Sequence, residues 1–362
     1  MASYLRYHDG LEQKQEHEDA IIERIVESMM RVSRRVFDRH RHAHREAHAK
    51  SHGVLTGTLC VHEALPPELA QGIFVPGARY PALVRLSTAP GDIHSDKVPM
   101  PRGMAIKLLN VPGTQVLAQR VQASTQDLLL VNHPVIPFGH AAAYLTVQEA
   151  IERHMDDPDS VLRLGALIAR GGKHALHAVG ADSPALDLLG VPNTHILGET
   201  FHSMAALRHG DYVAKLSAAP LSANVRALAG AALDGGSDSE LRDRVVAFFA
   251  GEEAEYELRV QLCTDGARMP IEDASVEWPE QDSPYVSVAR LRIPAQNAYS
   301  AARRAYFDDV LTFNPWHCVE AHRPLGSIMR ARLAAYEASS EFRHQMNGRA
   351  RVEVEDIGQV PD

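Results

Sequence analysis

The stretch Gly53–Glu63, GVLTGTLCVHE, decides the architecture. Apolar and polar residues alternate along it, and Val, Leu and Thr dominate, which is the pattern of a half-buried strand. Residues 11–47, just before it, read differently. There Ile21, Ile22, Ile25, Val26, Met29, Met30, Val32, Val36 and Phe37 recur at spacings of three and four. That spacing predicts one long, mostly polar helix with a single apolar face. The period thus changes near Ser51, and a strand-rich body begins.

Working outward, PALVRLSTA (81–89), GMAIKLLNV (103–111) and QDLLLVN (126–132) predict three further strands. Helical signals follow from about residue 140 to 175, with Asp159-Ser160 as a cap ahead of VLRLGALIAR. A second strand group comprises DYVAKLSA (211–218), EYELRVQLC (255–263) and YVSVARLRI (285–293). The Ala/Leu-rich stretch 222–251 between them predicts two short helices broken at DGGSD. A last helix is predicted over 326–344, and the Val/Glu-rich tail after it has no assignment. Strands segregate from helices without a repeating βαβ rhythm, so the fold class is α+β.

Composition narrows the function. The chain has 362 residues, 45% of them apolar and 23% charged, with a net charge of −9. These are globular values, and the acidic balance argues against nucleic acid as a partner. Three widely spaced cysteines, Cys60, Cys263 and Cys318, fit a reducing compartment and no disulfide framework. The segment MASYLRYHDG lacks the apolar core of a signal peptide, and no run is long and apolar enough for a membrane span, so the expectation is cytoplasmic. There is no Gly-rich phosphate loop, zinc-protease helix, CxxC pair or nucleophile elbow.

Three groups of residues carry chemistry. His40, His42, His44 and His48 include spacings of four, which suit metal ligands on a helix and equally suit a solvated helix end. Arg332, Tyr336 and Arg343 share one face of the last predicted helix. Positive charge beside a tyrosine favours its phenolate, a strong ligand for ferric iron, although an amphipathic surface tyrosine gives the same pattern. His48, just before one strand, and an inward-facing Ser87, on the next strand with Arg85, could meet across the sheet, and Asn132 at a strand end could join them.

In chain order these pieces resemble the haem catalase family. REAHAKSHGVLTGTL (45–59) resembles the family's distal-histidine segment, and PALVRLSTAPG (81–91) its Arg-Phe-Ser-Thr strand, with Leu86 in place of Phe. MPRGMAIKLLN (100–110) resembles its Pro-Arg-Gly strand, and DLLLVNHPVI (127–136) the segment bearing the distal asparagine. FNPWHCVEAHRPLGSIMRARLAAY (313–336) resembles the run into its proximal Arg-x-x-x-Tyr helix. The order and approximate spacing hold from about residue 42 to 344.

The resemblance implies an α+β, catalase-like antiparallel β-barrel enclosing haem b, with surrounding helices. It also implies one domain over 1–362: an N-terminal helical arm (1–50), a barrel with helical insertions (51–295), and a wrapping segment with the tyrosine helix (296–362). Tyr336 would be the axial ligand of the iron, with Arg332 holding it as phenolate. His48 would be the distal acid–base, Ser87 would orient its ring, and Asn132 would position peroxide. Arg45, Arg85 and Arg343 would pair with the haem propionates. Three departures from the family pattern bear on activity. Met100 replaces an Asp of the access channel, Ala89 replaces a bulky Val, and the chain is short at both ends. The first two suit a larger, less polar hydroperoxide. The expectation is a peroxidase with weak catalase activity, using a small organic reductant and assembled as a homo-oligomer, dimer or tetramer. The alternatives are a fatty-acid hydroperoxide isomerase, whose family branch has a Thr where this chain has Ala47, and a non-catalytic haem-binding protein.

Overall fold

The computed structural model describes residues 4–118, 124–156 and 192–362. Its centre is a sheet of strands β1 (Lys50–Val61), β2 (Arg79–Thr88), β3 (Arg102–Leu109), β4 (Thr125–Val131), β5 (Phe201–His202), β6 (Leu207–His209), β7 (Tyr212–Pro220), β8 (Ala254–Leu262) and β9 (Val286–Ile293). The order is β5-β4-β3-β2-β1-β9-β8-β7-β6, and the additional pairing of β5 with β7 closes eight of the strands into an antiparallel barrel. The seven strands expected from alternation are all present. The two missed, β5 and β6, are only two and three residues long, too short to show a period. Yet β5 makes the closure, through Phe201 opposite Ala218 and His202 opposite Ser217.

The helices are α1 (Glu18–His40), α2 (Ala141–His154), α3 (Ala223–Arg226), α4 (Glu240–Phe249), α5 (Ala301–Ala305) and α6 (Ser327–Asn347). Helix α1 is shorter than the 11–47 expected. Its flanking residues His17 (φ 58°) and Arg41 (φ 54°) are left-handed, and the Arg41 N–H closes the last turn on the Phe37 carbonyl. Before it, tertiary contacts take the chain away from helix. Glu12 pairs with Arg330 at 2.7 Å, and the Gln13 N–H donates to Glu272 at 2.8 Å. Its apolar face behaves as expected, with Ile25 and Met29 buried against Leu145 of α2 and Ala331 and Ala335 of α6. Of the helical signals over 140–175, α2 accounts for 141–154; the Asp159-Ser160 cap lies outside the described residues. The unassigned tail packs Val354, Ile357 and Val360 onto the outside of the barrel.

The register sorts the two faces of the sheet. Directly paired residues share a face, so Arg85 lies with Ala105 and Leu129, and Ser87 with Gly103 and Val131. Leu86, Met104 and Leu130 point the other way, into a buried apolar cluster contributed by strands around the whole ring. An eight-stranded barrel is about wide enough for its side chains alone. The interior is therefore packed, and Arg85 and Ser87 stand on the outer wall, facing the helices and the C-terminal segment rather than the lumen.

Candidate haem-type site

A cavity of about 250 Å³ opens between that outer wall and α1, α2 and α6. A smaller compartment of about 50 Å³ runs deeper, against Arg85, Ser87, Gly103, Ala105 and Leu129. Arg45, His48, Phe313, Arg332 and Tyr336 line both. Whatever binds here sits between barrel and helices rather than in the barrel lumen.

His48 is the last residue but one before β1 and adopts a left-handed backbone (φ 56°). A histidine tolerates that region better than β-branched residues do. The β-bulge between Ser51 and Gly53 then resets the register, and Ser51 pairs with Ser87. The Ser87 hydroxyl lies 3.3 Å from His48 Nδ1. Burial, reinforced by Arg85 and Arg332, pushes the imidazole down to about 3, so the ring is neutral. Gly103 forms the floor beneath it. A Cβ at this position would lie 2.6 Å from His48 Nδ1 and 3.0 Å from Ser87 Oγ. Gly103→Ala is therefore expected to displace the imidazole and to lower any reactivity that depends on it by about tenfold or more, on the scale of ~1–3 kcal/mol for overpacking. A melting curve and a rate measurement on the same sample check this; unchanged reactivity in a folded variant contradicts it.

Tyr336 projects from the middle of α6, one helical turn after Arg332. Arg332 Nη2 donates to the Tyr336 oxygen at 2.9 Å, and its guanidinium carbon lies 5.2 Å from the ring centroid.

Arg45, Arg85 and Arg343 converge on Asp308, which sits in a π-helical turn, Tyr306–Val310. Asp308 Oδ1 accepts from Arg45 Nη1 at 3.2 Å, Arg85 Nε at 3.0 Å and Ser51 Oγ at 2.6 Å, while Arg343 Nη1 donates to the Asp308 carbonyl at 2.6 Å. Burial acts to raise this carboxyl, but Arg85, Arg45 and the Ser51 bond hold it below its usual range. Even with Asp309 also acting on Arg45 and Arg343, two carboxylates face three guanidiniums, and Asp309 is itself engaged by His42. Burial and mutual repulsion by Arg85 and Arg343 depress Arg45, burial brings Arg343 down to about 10, and Arg343 Nε has no hydrogen-bond partner. A group carrying two carboxylates fits this excess positive charge. With a tyrosine oxygen supported by arginine lining the same cavity, the donor set suits haem.

Asn132 follows β4 and is oriented by its amide oxygen, which accepts the Arg102 N–H at 2.7 Å. It does not line the cavity; its neighbour Val131 does. Ala89 and Pro101 line the cavity, and Met100 does not. The histidine cluster also departs from expectation. The helix ends at His40, so the spacing of four does not set these rings on one helical face. His40 instead pairs with Asp92 at 2.7 Å and His42 with Asp309 at 2.8 Å. His44 packs edge-on against both, and its imidazole is pushed down to about 4 by burial and by those two rings. Among the described residues no group of three or more His, Cys, Asp or Glu is arranged to hold a metal ion.

Sequence reasoning missed four residues of the site. Asp308 carried a signal, an acidic pair inside the apolar run YFDDVLTF. Gly103 and Phe313 lay within quoted motifs but had no stated role. Glu46, which also lines the cavity, was passed over between Arg45 and His48.

No family model and no curated protein sequence matches the chain. Solved structures do. A fungal catalase superposes with a TM-score of 0.59 at 18% identity, covering 97% of this chain and 69% of that one. Catalase A from Saccharomyces cerevisiae gives 0.59 at 18% identity, covering 95% and 69%. A bacterial catalase gives 0.59 at 15% identity, covering 97% and 66%. At such identities the likeness speaks for architecture: the chain has a catalase-like fold.

Proposed function

We propose that the chain is a haem-dependent peroxidase acting on hydrogen peroxide, organic hydroperoxides or both, with weak catalase activity. One observation carries the reading. A single cavity is lined both by a neutral histidine held by a serine and by a tyrosine held by an arginine. Storage or sensing of haem requires only the second pair, and the first supports an enzyme.

Bound haem b would supply a Lewis-acidic, redox-active iron at which the O–O bond of a peroxide can be cleaved. Tyr336 would be its protein ligand, kept anionic by Arg332. Arg45, Arg85 and Arg343 would take the propionates. His48 is neutral, and in the tautomer whose Nδ1–H donates to Ser87 Oγ its basic nitrogen is Nε2. It would accept a proton from the attacking peroxide oxygen and return it to the departing one, so that water or an alcohol leaves instead of an anion. The peroxide-holding role that the resemblance gives Asn132 is not part of this reading, since Asn132 does not line the cavity and its amide oxygen is taken by the Arg102 N–H.

The wall favours organic substrates. Ala89, Ile136, Phe138 and Met204 present small or apolar surfaces to the cavity. Ala47 stands beside His48 without a hydroxyl to restrain it, which favours peroxidase over hydroperoxide isomerase. The reading is tested by rapid mixing of haem-loaded protein with hydrogen peroxide and with an alkyl hydroperoxide, a phenolic reductant being present. Oxidation of the reductant should exceed release of oxygen with either peroxide. Peroxide left unconsumed and an unchanged haem spectrum would overturn the proposal.

A further inference from the structure

We propose that Glu46 anchors an organic ligand bearing a protonated nitrogen, seated at the wide end of the cavity between α1, α2 and α6. This deepens the peroxidase reading by naming the class of reductant, and it rests on that reading only for the ligand's role.

Glu46 lines the larger compartment and not the deeper one that holds Ser87 and Arg85. His48 faces both compartments, whereas Glu46 faces only the larger one. Its backbone is fixed on both sides. The Glu46 N–H donates to Ser339 Oγ at 3.3 Å, and its carbonyl packs so closely on Gly91 that a side chain there would collide. The carboxyl itself makes no hydrogen bond or ion pair among the described residues. The cavity wall to which it belongs is largely apolar, with Ile25 and Met29 from α1 and Ala331 and Ala335 from α6.

The other ionisable groups of the wall are engaged or distant in effect. Arg332 is bonded to Tyr336, Arg45 to Asp308, and His48 is neutral. Tyr144 on α2 is the group whose ionisation Glu46 influences, and burial, Glu46 and Tyr336 all keep that hydroxyl protonated. Burial alone pushes the Glu46 carboxyl up to about 7, with no cation opposing it. A carboxyl left unpaired in an apolar wall is costly, and natural sites retain such a group where something satisfies it. A neutral apolar ligand would leave it unpaired, and an anion would be repelled. A ligand with an ammonium group supplies both the charge and the N–H donors.

The test is calorimetric binding of benzylamine, benzyl alcohol and benzoate to the haem-loaded protein and to its Glu46→Gln variant, at about one unit above the carboxyl's value of about 7. The wild type should bind benzylamine more tightly than benzyl alcohol by about ten- to a hundredfold, the worth of a charge-assisted hydrogen bond. Benzoate should bind weakest. Glu46→Gln should erase the preference for the amine, and Glu46→Asp should keep it in reduced form. Equal affinity of the wild type for amine and alcohol overturns the proposal without any variant, as does a preference that survives in Glu46→Gln. Failure of the peroxidase reading looks different. It would show as absent peroxide consumption while the amine preference stands.

Discussion

Replacing Tyr336 with phenylalanine is expected to weaken haem binding by about a hundredfold or more. Loss of a residue that merely supports a metal ligand costs roughly 10- to 100-fold in affinity, and in the function proposed above Tyr336 is the ligand itself. The substitution keeps the ring and its packing on α6, so the fold should survive. What changes is local. Arg332 loses the oxygen to which it donates at 2.9 Å and is left as an unmatched guanidinium beside the cavity. Haem titration followed by absorbance, with a melting curve on the same sample, separates the two effects. A variant that binds haem with unchanged affinity and an unchanged ferric spectrum contradicts the assignment.

The second large effect is at the histidine. His48→Ala should retain haem, because the arginines and Tyr336 are untouched, and should lose about 10²- to 10⁴-fold in its rate of reaction with peroxide, the usual contribution of a positioned acid–base group. The sign of the pH dependence follows from the same geometry. The imidazole sits at about 3 because burial, Arg85 and Arg332 all disfavour its charged form, so it stays neutral throughout the physiological range. The rate in Glu46→Gln, where the nearby carboxyl no longer titrates, should show no inflection near the ordinary histidine value of about 6.5. A rate in His48→Ala equal to that of the wild type shows that the histidine is not the acid–base group.

The parts of this fold legible in the sequence are those fixed by local periodicity. The alternation in β1, β2, β8 and β9 reports a sheet with a packed interior, and the apolar stripe of α1 reports its seat on α2 and α6. What periodicity does not carry is closure. The two residues of β5 join the ends of the ring, and pairing over so short a span is set by tertiary contacts. The ends of α1 were misjudged for a related reason. Glu12 and Gln13 are drawn to Arg330 and Glu272, and His42 to Asp309, so long-range charge pairing overrides helix propensity at both ends.

The site divides in the same way. Arg332 and Tyr336 lie four apart on one helix, and that spacing shows in the sequence. His48 and Ser87 meet only because a bulge at Ser51–Gly53 sets the register of β1 on β2, a feature without a residue signature of its own. Gly103 matters through the side chain it lacks. Asp308 lies more than 200 residues from Arg45 and Arg85, so its place between three guanidiniums appears only in the folded chain. Glu46 was overlooked because a carboxyl in a charged segment reads as solvated, whereas the fold turns it into an apolar cavity.

In the proposed function, one cavity brings His48 as acid–base group and Tyr336 as haem ligand to bear on a peroxide. Stopped-flow absorbance of the haem-loaded wild type against hydrogen peroxide and an alkyl hydroperoxide tests it most directly. A fast, peroxide-dependent change in the haem spectrum is expected, reversed when a phenolic reductant is added and lost in His48→Ala. No spectral change with either peroxide, in protein shown to hold haem through Tyr336, would contradict it.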